Sequence, residues 1–145
     1  MEGAAREQLG ELFARAQLTR DPDAPAAVID KARAMPLRAP LLVVAIACIK
    51  AHPKVPESEQ LLAAGSAVHG LLLAAHAQGI GAIWRTGELS YDATVHAGLH
   101  LADNERIIGF VYLGTPPAEL RKPQPLEPAD FVTTWSSEFG ADVQG

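Results

Sequence analysis

The residues best suited to hold a small molecule stand in one run: Ala77, Gln78, Gly79, Ile80, Gly81, Ala82, Ile83, Trp84, Arg85, Thr86 and Gly87. Two glycines two apart let backbone approach a flat or anionic group without interference from a Cβ atom. Just beyond them, Trp84 offers an aromatic surface and Arg85 a fixed positive charge, and the amides of Arg85 to Gly87 offer donors. The same glycines also have a purely structural reading, because glycine commonly sits just past the end of a helix. The pattern is not a dinucleotide fingerprint, whose glycines follow a strand and open a helix; these close one.

Other chemistry-bearing residues are less well placed. His96 and His100 are four apart, a spacing that puts both on one face of a helix, but Ala97-Gly98-Leu99 between them lacks the glutamate of the metalloprotease motif. They read as histidines near a helix end, where the dipole favours them. His69 and His76 lie two turns apart, too far for a common ion, and read as part of a subunit contact, with His76 also near the glycine turn. Cys48 falls in an apolar run, where a thiol behaves as a small hydrophobe. There is no Gly-x-Ser-x-Gly elbow for a hydrolase. As the one cysteine, Cys48 cannot form an internal disulfide, which points to a reducing cytoplasm. A formal charge of −5 with scattered Lys and Arg excludes the basic stripe of a nucleic-acid binder. Residues 1–20 contain no apolar core of the signal-peptide kind.

The elements that must position these residues can be read in order, within a single domain over 1–145. Leu9, Leu12, Phe13 and Ala16 recur at helical spacing and predict an amphipathic helix over 4–18. After Asp21-Pro22-Asp23 and Pro25, a short helix runs through Val28, Ile29, Ala32 and Ala34, ended by Met35-Pro36 and Ala39-Pro40. Leu41 to Ile49 is a continuous apolar run rich in β-branched residues, expected to be a central strand buried on both faces. A loop from Lys50 to Pro56 leads to a long helix over 57–78, opened by Glu57 and Glu59, whose charges suit the helix dipole. From Gln60 to Trp84 there is no Asp, Glu, Lys or Arg, a length able to span a bilayer. Ser66, His69, His76 and Gln78 would then need partners inside hydrocarbon, so a helix covered by protein, partly by a second subunit, is the expected form. Further on, Ser90 is placed to cap a small helix over 91–99, and Arg106 to Gly114 reads as a second strong strand. The prolines from Pro116 to Pro128 mark an extended C-terminal tail over 116–145, with Phe131, Val132 and Trp135 expected to dock on an apolar surface.

Taken in order, three segments resemble the nitroreductase family, in its small-subunit branch, from about residue 2 to Thr134. One is the run from Ala77 to Gly87 after a helix rich in small residues. Another is Lys31-Ala32-Arg33-Ala34-Met35-Pro36-Leu37-Arg38-Ala39-Pro40-Leu41. The third is Ile107 to Pro116, and Lys54-Val55-Pro56 precedes the long helix in the family manner. The resemblance implies an α+β fold with a central mixed or antiparallel sheet flanked by helices, and a homodimer holding FMN at the subunit interface. Hydride would pass from NAD(P)H to flavin N5 and on to a nitroaromatic or quinone-type acceptor, with the protein supplying position and electrostatics. By position, Trp84, Arg85 and Thr86 match flavin-contacting residues, and residues 77–82 match the segment associated with the nicotinamide cofactor. Arg121 or Lys122 would approach the FMN phosphate.

One departure accompanies the match. In the family, an N-terminal segment with an Arg-Arg-Ser-type motif, further flavin contacts and a first strand precedes everything seen here. A chain without it is expected to bind FMN weakly and to expose a sheet edge. The leading reading is an FMN-dependent NAD(P)H oxidoreductase, in which NADH and NADPH stay undistinguished. The alternatives are a shortened relative acting as a dimeric structural or regulatory module, and an unrelated ligand-binding α+β domain.

Overall fold

Leu9, Leu12, Phe13 and Ala16 line up because helix α1 (Ala4–Arg20) turns them to one side, where all four are buried. In the computed structural model, which describes residues 1–119 and 123–135, this face packs on one side of a three-stranded sheet. Phe13 meets Phe110 of the sheet edge-to-face, with ring centroids 5.2 Å apart. Helix α2 (Ala26–Ala34) adds Ile29 and Ala32 as its buried residues, ends before Met35-Pro36, and passes into a 3-10 turn over Met35–Arg38 that stops at Ala39-Pro40. Pro36 tolerates this because the start of a helical turn leaves its missing N–H unused.

The strands are β1 (Leu41–Cys48), β2 (Gly81–Arg85) and β3 (Glu105–Gly114), all antiparallel, in the order β1-β3-β2. The expected central strand is therefore an edge strand. Its long apolar run has another cause: helices lie on both faces of the sheet, so consecutive residues of β1 find cover on alternate sides. Leu42 and Val44 join the α1 layer, while Leu41, Val43 and Ala45 join the opposite layer. Cover fails toward the end of β1, where Ile46 is exposed and Cys48, expected to be buried, is exposed as well.

That opposite layer is helix α3 (Glu57–Ala77), whose Val68 and Ala75 are buried against Val111 and Leu113. Cover of α3 is much thinner than its composition demands, since Leu62 and Leu73 are 71% and 58% exposed. By length and composition α3 could cross a membrane. Its N-terminal approach is held by Gln60, whose side chain bonds the backbone N–H and C=O of Lys50 at 2.9 and 2.8 Å. Helix α4 (Ala93–Gly98) is capped by Asp92, which accepts from the amides of Thr94 and Val95, and not by Ser90. Ser90 instead ends a 3-10 turn over Glu88–Ser90 and is itself buried, and His96 Nε2 bonds its carbonyl at 2.8 Å. In the tail, Phe131, Val132 and Trp135 are all exposed within the chain, so they do not dock on its own core.

Candidate functional site

The junction of α3 and β2 shows what the two glycines do. Gly79 has φ 71°, and the amides of Ile80 and Gly79 bond the carbonyls of Ala75 and His76, each at 2.9 Å. This is a Schellman cap, which needs a residue able to adopt the left-handed conformation. Gly81 does something different: a Cβ there would lie 3.1 Å from Pro116 Cα and 3.2 Å from the Gly114 carbonyl oxygen. The first glycine turns the chain and the second lets β2 start close beside the end of β3.

Along β2 the side chains alternate between the faces of the sheet. Ala82 and Trp84 face α3, opposite Leu113 and Val111 of β3. Arg85 and Ile83 point the other way, opposite Phe110 and Tyr112. Trp84 is held firmly, because its indole N–H donates to the Ile108 carbonyl at 3.1 Å. That carbonyl is available because β3 bulges there: Ala45 pairs with Gly109 but Ile46 pairs with Ile107, leaving Ile108 as the extra residue. Trp84 lies across Gly109, where an added Cβ would be only 2.1 Å from its Nε1.

The residues singled out in the sequence thus fall around three hollows. Trp84 walls an apolar groove of about 760 Å³ with Leu62, Gly65 and His69 of α3. Gly81, Ala82 and Arg85 line a cleft of about 560 Å³ on the other side of β2, shared with Arg38 and Tyr112. Gly79 and Ile80 border a third hollow beside Glu2 and Leu41, while Ala77, Gln78 and Thr86 are exposed and line none of the three. Arg121 and Lys122 lie outside the described residues. Among the described residues no three His, Cys, Asp or Glu side chains come together as metal ligands.

Two residues enter the site that the sequence reading did not single out as contacts. Arg38 follows Pro36-Leu37 at the end of the 3-10 turn, and its only signal was its place in the Lys31–Leu41 segment. Tyr112 is half-buried; burial pushes its phenol above the ordinary range, while Arg38 and Arg85 pull it back down. The one polar side chain between Ile107 and Leu113 was a visible signal, but not which way it faced.

The arrangement offers a ligand a flat indole wall, a cationic cleft and the free edge of β2. Among the described residues that strand pairs only with β3, so its outer N–H and C=O groups have no strand partner there.

Known proteins resemble this chain at two levels. The model of the Nitroreductase family matches residues 2–115. Over 136 residues the chain is 38% identical to the Escherichia coli (strain K12) protein named "Putative NAD(P)H nitroreductase YdjA", covering 92% of this chain and 72% of that one. A Haemophilus influenzae protein named "Putative NAD(P)H nitroreductase" is 34% identical over 105 residues, which is 71% of this chain and 57% of the other. In structure, a nitroreductase-like family protein from Bacillus cereus superposes with a TM-score of 0.71 at 16% identity, covering 92% of this chain and 70% of that one. A Bacteroides fragilis nitroreductase with bound FMN superposes with a TM-score of 0.59 at 22% identity, covering 89% and 71%.

Proposed function

This chain belongs to the nitroreductase family, and we propose that it is an FMN-dependent NAD(P)H oxidoreductase acting on nitroaromatic or quinone-type acceptors. Nitroreductase-type oxidoreduction is the general activity of the group; the cofactor pair, the acceptor class and the residues are the proposed part. The observation that carries the reading is the free edge of β2, whose Trp84 and Arg85 line two open hollows, with Thr86 next along the chain. A planar, hydrogen-bonding and phosphorylated cofactor suits that edge, since backbone groups, an aromatic wall and a cation are all within one short strand. When bound, FMN accepts hydride from NAD(P)H and delivers it to the acceptor.

The chain's own contributions follow from their placement. The indole N–H of Trp84 is already engaged with Ile108, so Trp84 serves as an apolar wall and not as a donor. Arg85, exposed at the end of β2, supplies positive charge to the anionic parts of the cofactor. The amides from Arg85 to Gly87 supply donors, and residues 77–82 border the face reached by the nicotinamide cofactor. A homodimer completes this picture: the uncovered apolar face of α3, with Leu62 and Leu73, suits a second copy, and it adjoins the groove walled by Trp84. A single, exposed cysteine fits a reducing cytoplasm.

The reading is tested by reconstitution with FMN followed by desalting. The wild-type chain is expected to retain part of the flavin, in keeping with the weak binding its sequence implies, and Arg85→Ala to retain several-fold less at equal protein concentration. Equal occupancy in the two proteins removes Arg85 from the site. The same α3 face also favours a second reading, a dimer that associates without flavin; a colourless wild-type dimer after reconstitution supports that one instead.

A further inference from the structure

We propose that the cleft between Arg38 and Arg85, floored by Tyr112, is an oxyanion site that takes the phosphate of an organic phosphate ester. Arg85 and Tyr112 lie on the same face of the sheet as diagonal cross-strand neighbours, since Arg85 pairs with Phe110 and Ile83 with Tyr112. Arg38 lines the same cleft from just before β1, whose Leu42 pairs with Tyr112 on the other side. Both arginines line the cleft together with Tyr112, and their positive charge opposes the upward shift that burial gives the phenol.

Their charge is not spent elsewhere. Arg20, Arg33 and Arg106 each hold a carboxylate, on Glu88, on Glu11 and Asp30, and on Glu57 respectively. Among the described residues Arg38 and Arg85 hold none, and no acidic side chain lines the cleft. In a chain with 17 acidic and 12 basic residues, two exposed arginines lining one acid-free hollow make it locally positive. Guanidinium pairs suit phosphate, which they bind through parallel charge-assisted hydrogen bonds. Tyr112, kept in its neutral form, adds an O–H donor beside them.

The cleft is also built in advance. Arg6 Nη1 donates to the Ala39 carbonyl at 2.5 Å, tying the segment that carries Arg38 to α1. Pro40 closes against the end of β3, where a Cβ on Gly114 would lie 2.8 Å from Pro40 Cδ. With the backbone anchored, only the side chains remain to be ordered when an anion binds. At about 560 Å³ the hollow has room for more than a bare phosphate, hence an ester.

The phosphate has two possible sources, the cofactor's own and a separate metabolite, and one experiment separates them. Kd for FMN and for riboflavin is measured by flavin fluorescence in phosphate-free buffer, for the wild type, Arg38→Ala and Arg38→Lys. The thermal midpoint of each flavin-free chain is measured with inorganic phosphate or pyrophosphate, against chloride at equal ionic strength. The expected common result is a phosphate-dependent rise in midpoint that Arg38→Ala abolishes and Arg38→Lys keeps in part. If FMN is the source, Arg38→Ala also raises Kd for FMN about tenfold and leaves riboflavin unchanged. If a separate ester is the source, both flavin affinities stay as they were. The proposal is overturned if Arg38→Ala alters neither the phosphate-dependent midpoint nor the ratio of FMN to riboflavin affinity. Failure of the chain to bind any flavin contradicts the cofactor reading alone, because the phosphate titration needs no flavin.

Discussion

Gly109 is the residue on which the indole wall depends. A methyl group there would lie 2.1 Å from Trp84 Nε1, 2.6 Å from its Cδ1 and 2.7 Å from the Arg85 carbonyl oxygen. Gly109→Ala must therefore push Trp84 off Ile108 and shift β2 with it. The expected cost is about 1–3 kcal/mol, as for other overpacked core sites. Urea denaturation measures the loss, and a changed near-UV circular dichroism signal reports the displaced indole; unchanged values in both contradict the contact. Residue by residue, the sequence disclosed types more readily than duties. Gly79 and Gly81 were legible as special, yet one caps α3 and the other admits Pro116, which spacing alone does not separate from cradling a ligand. Asp92 caps α4 although Ser90 is an equally good capping type, because the chain first makes a tight turn over Glu88–Ser90 that buries the serine. Arg38 and Tyr112 were hidden for a different reason: their meeting is tertiary, set by the pairing of β3 with both neighbours.

At the scale of elements, helix periodicity and apolar runs located the four helices and the strands β1 and β3 to within a few residues. The order of the strands was not legible in the same way. In a three-stranded sheet only one strand is internal, and β1 has as apolar a sequence as β3 because helices cover both faces. The bulge was equally invisible. Before it Ile107 faces α1, and after it Phe110 and Tyr112 do, so the extra residue Ile108 switches the parity of the strand. Without that switch, Tyr112 would face α3 and the cleft beside Arg85 would lose its floor. Helix α3 carries the prediction at this scale. Its exposed Leu62 and Leu73 are expected to be covered by a second copy, so Leu62→Glu with Leu73→Glu should convert a dimer to a monomer in sedimentation velocity. A wild-type chain that sediments as a monomer at the same concentration contradicts the assignment. Helical circular dichroism should survive the double change, since neither leucine belongs to the buried cluster that joins α3 to the sheet.

For the whole molecule, the sheet is a partition. One layer, built on α1, encloses the larger buried cluster around Phe13, Leu42 and Phe110. The other, α3, is covered on its sheet side and bare on its far side. Between them β2 brings the indole of Trp84 to one face and the charge of Arg85 to the other, with a free backbone edge linking the two. The net charge of −5 makes the Arg38–Arg85 cleft a local exception, and such an exception attracts anions more selectively than a uniformly basic surface does. Family membership and this geometry support the proposal that the chain holds FMN and passes reducing equivalents through it. The direct measurement is an anaerobic titration of the FMN-reconstituted, desalted protein with NADH and with NADPH. A flavin band at about 450 nm should accompany the protein and bleach on addition of at least one of the two, returning when a quinone acceptor is added. A protein that emerges colourless from reconstitution, or whose flavin band neither nucleotide bleaches, contradicts the claim.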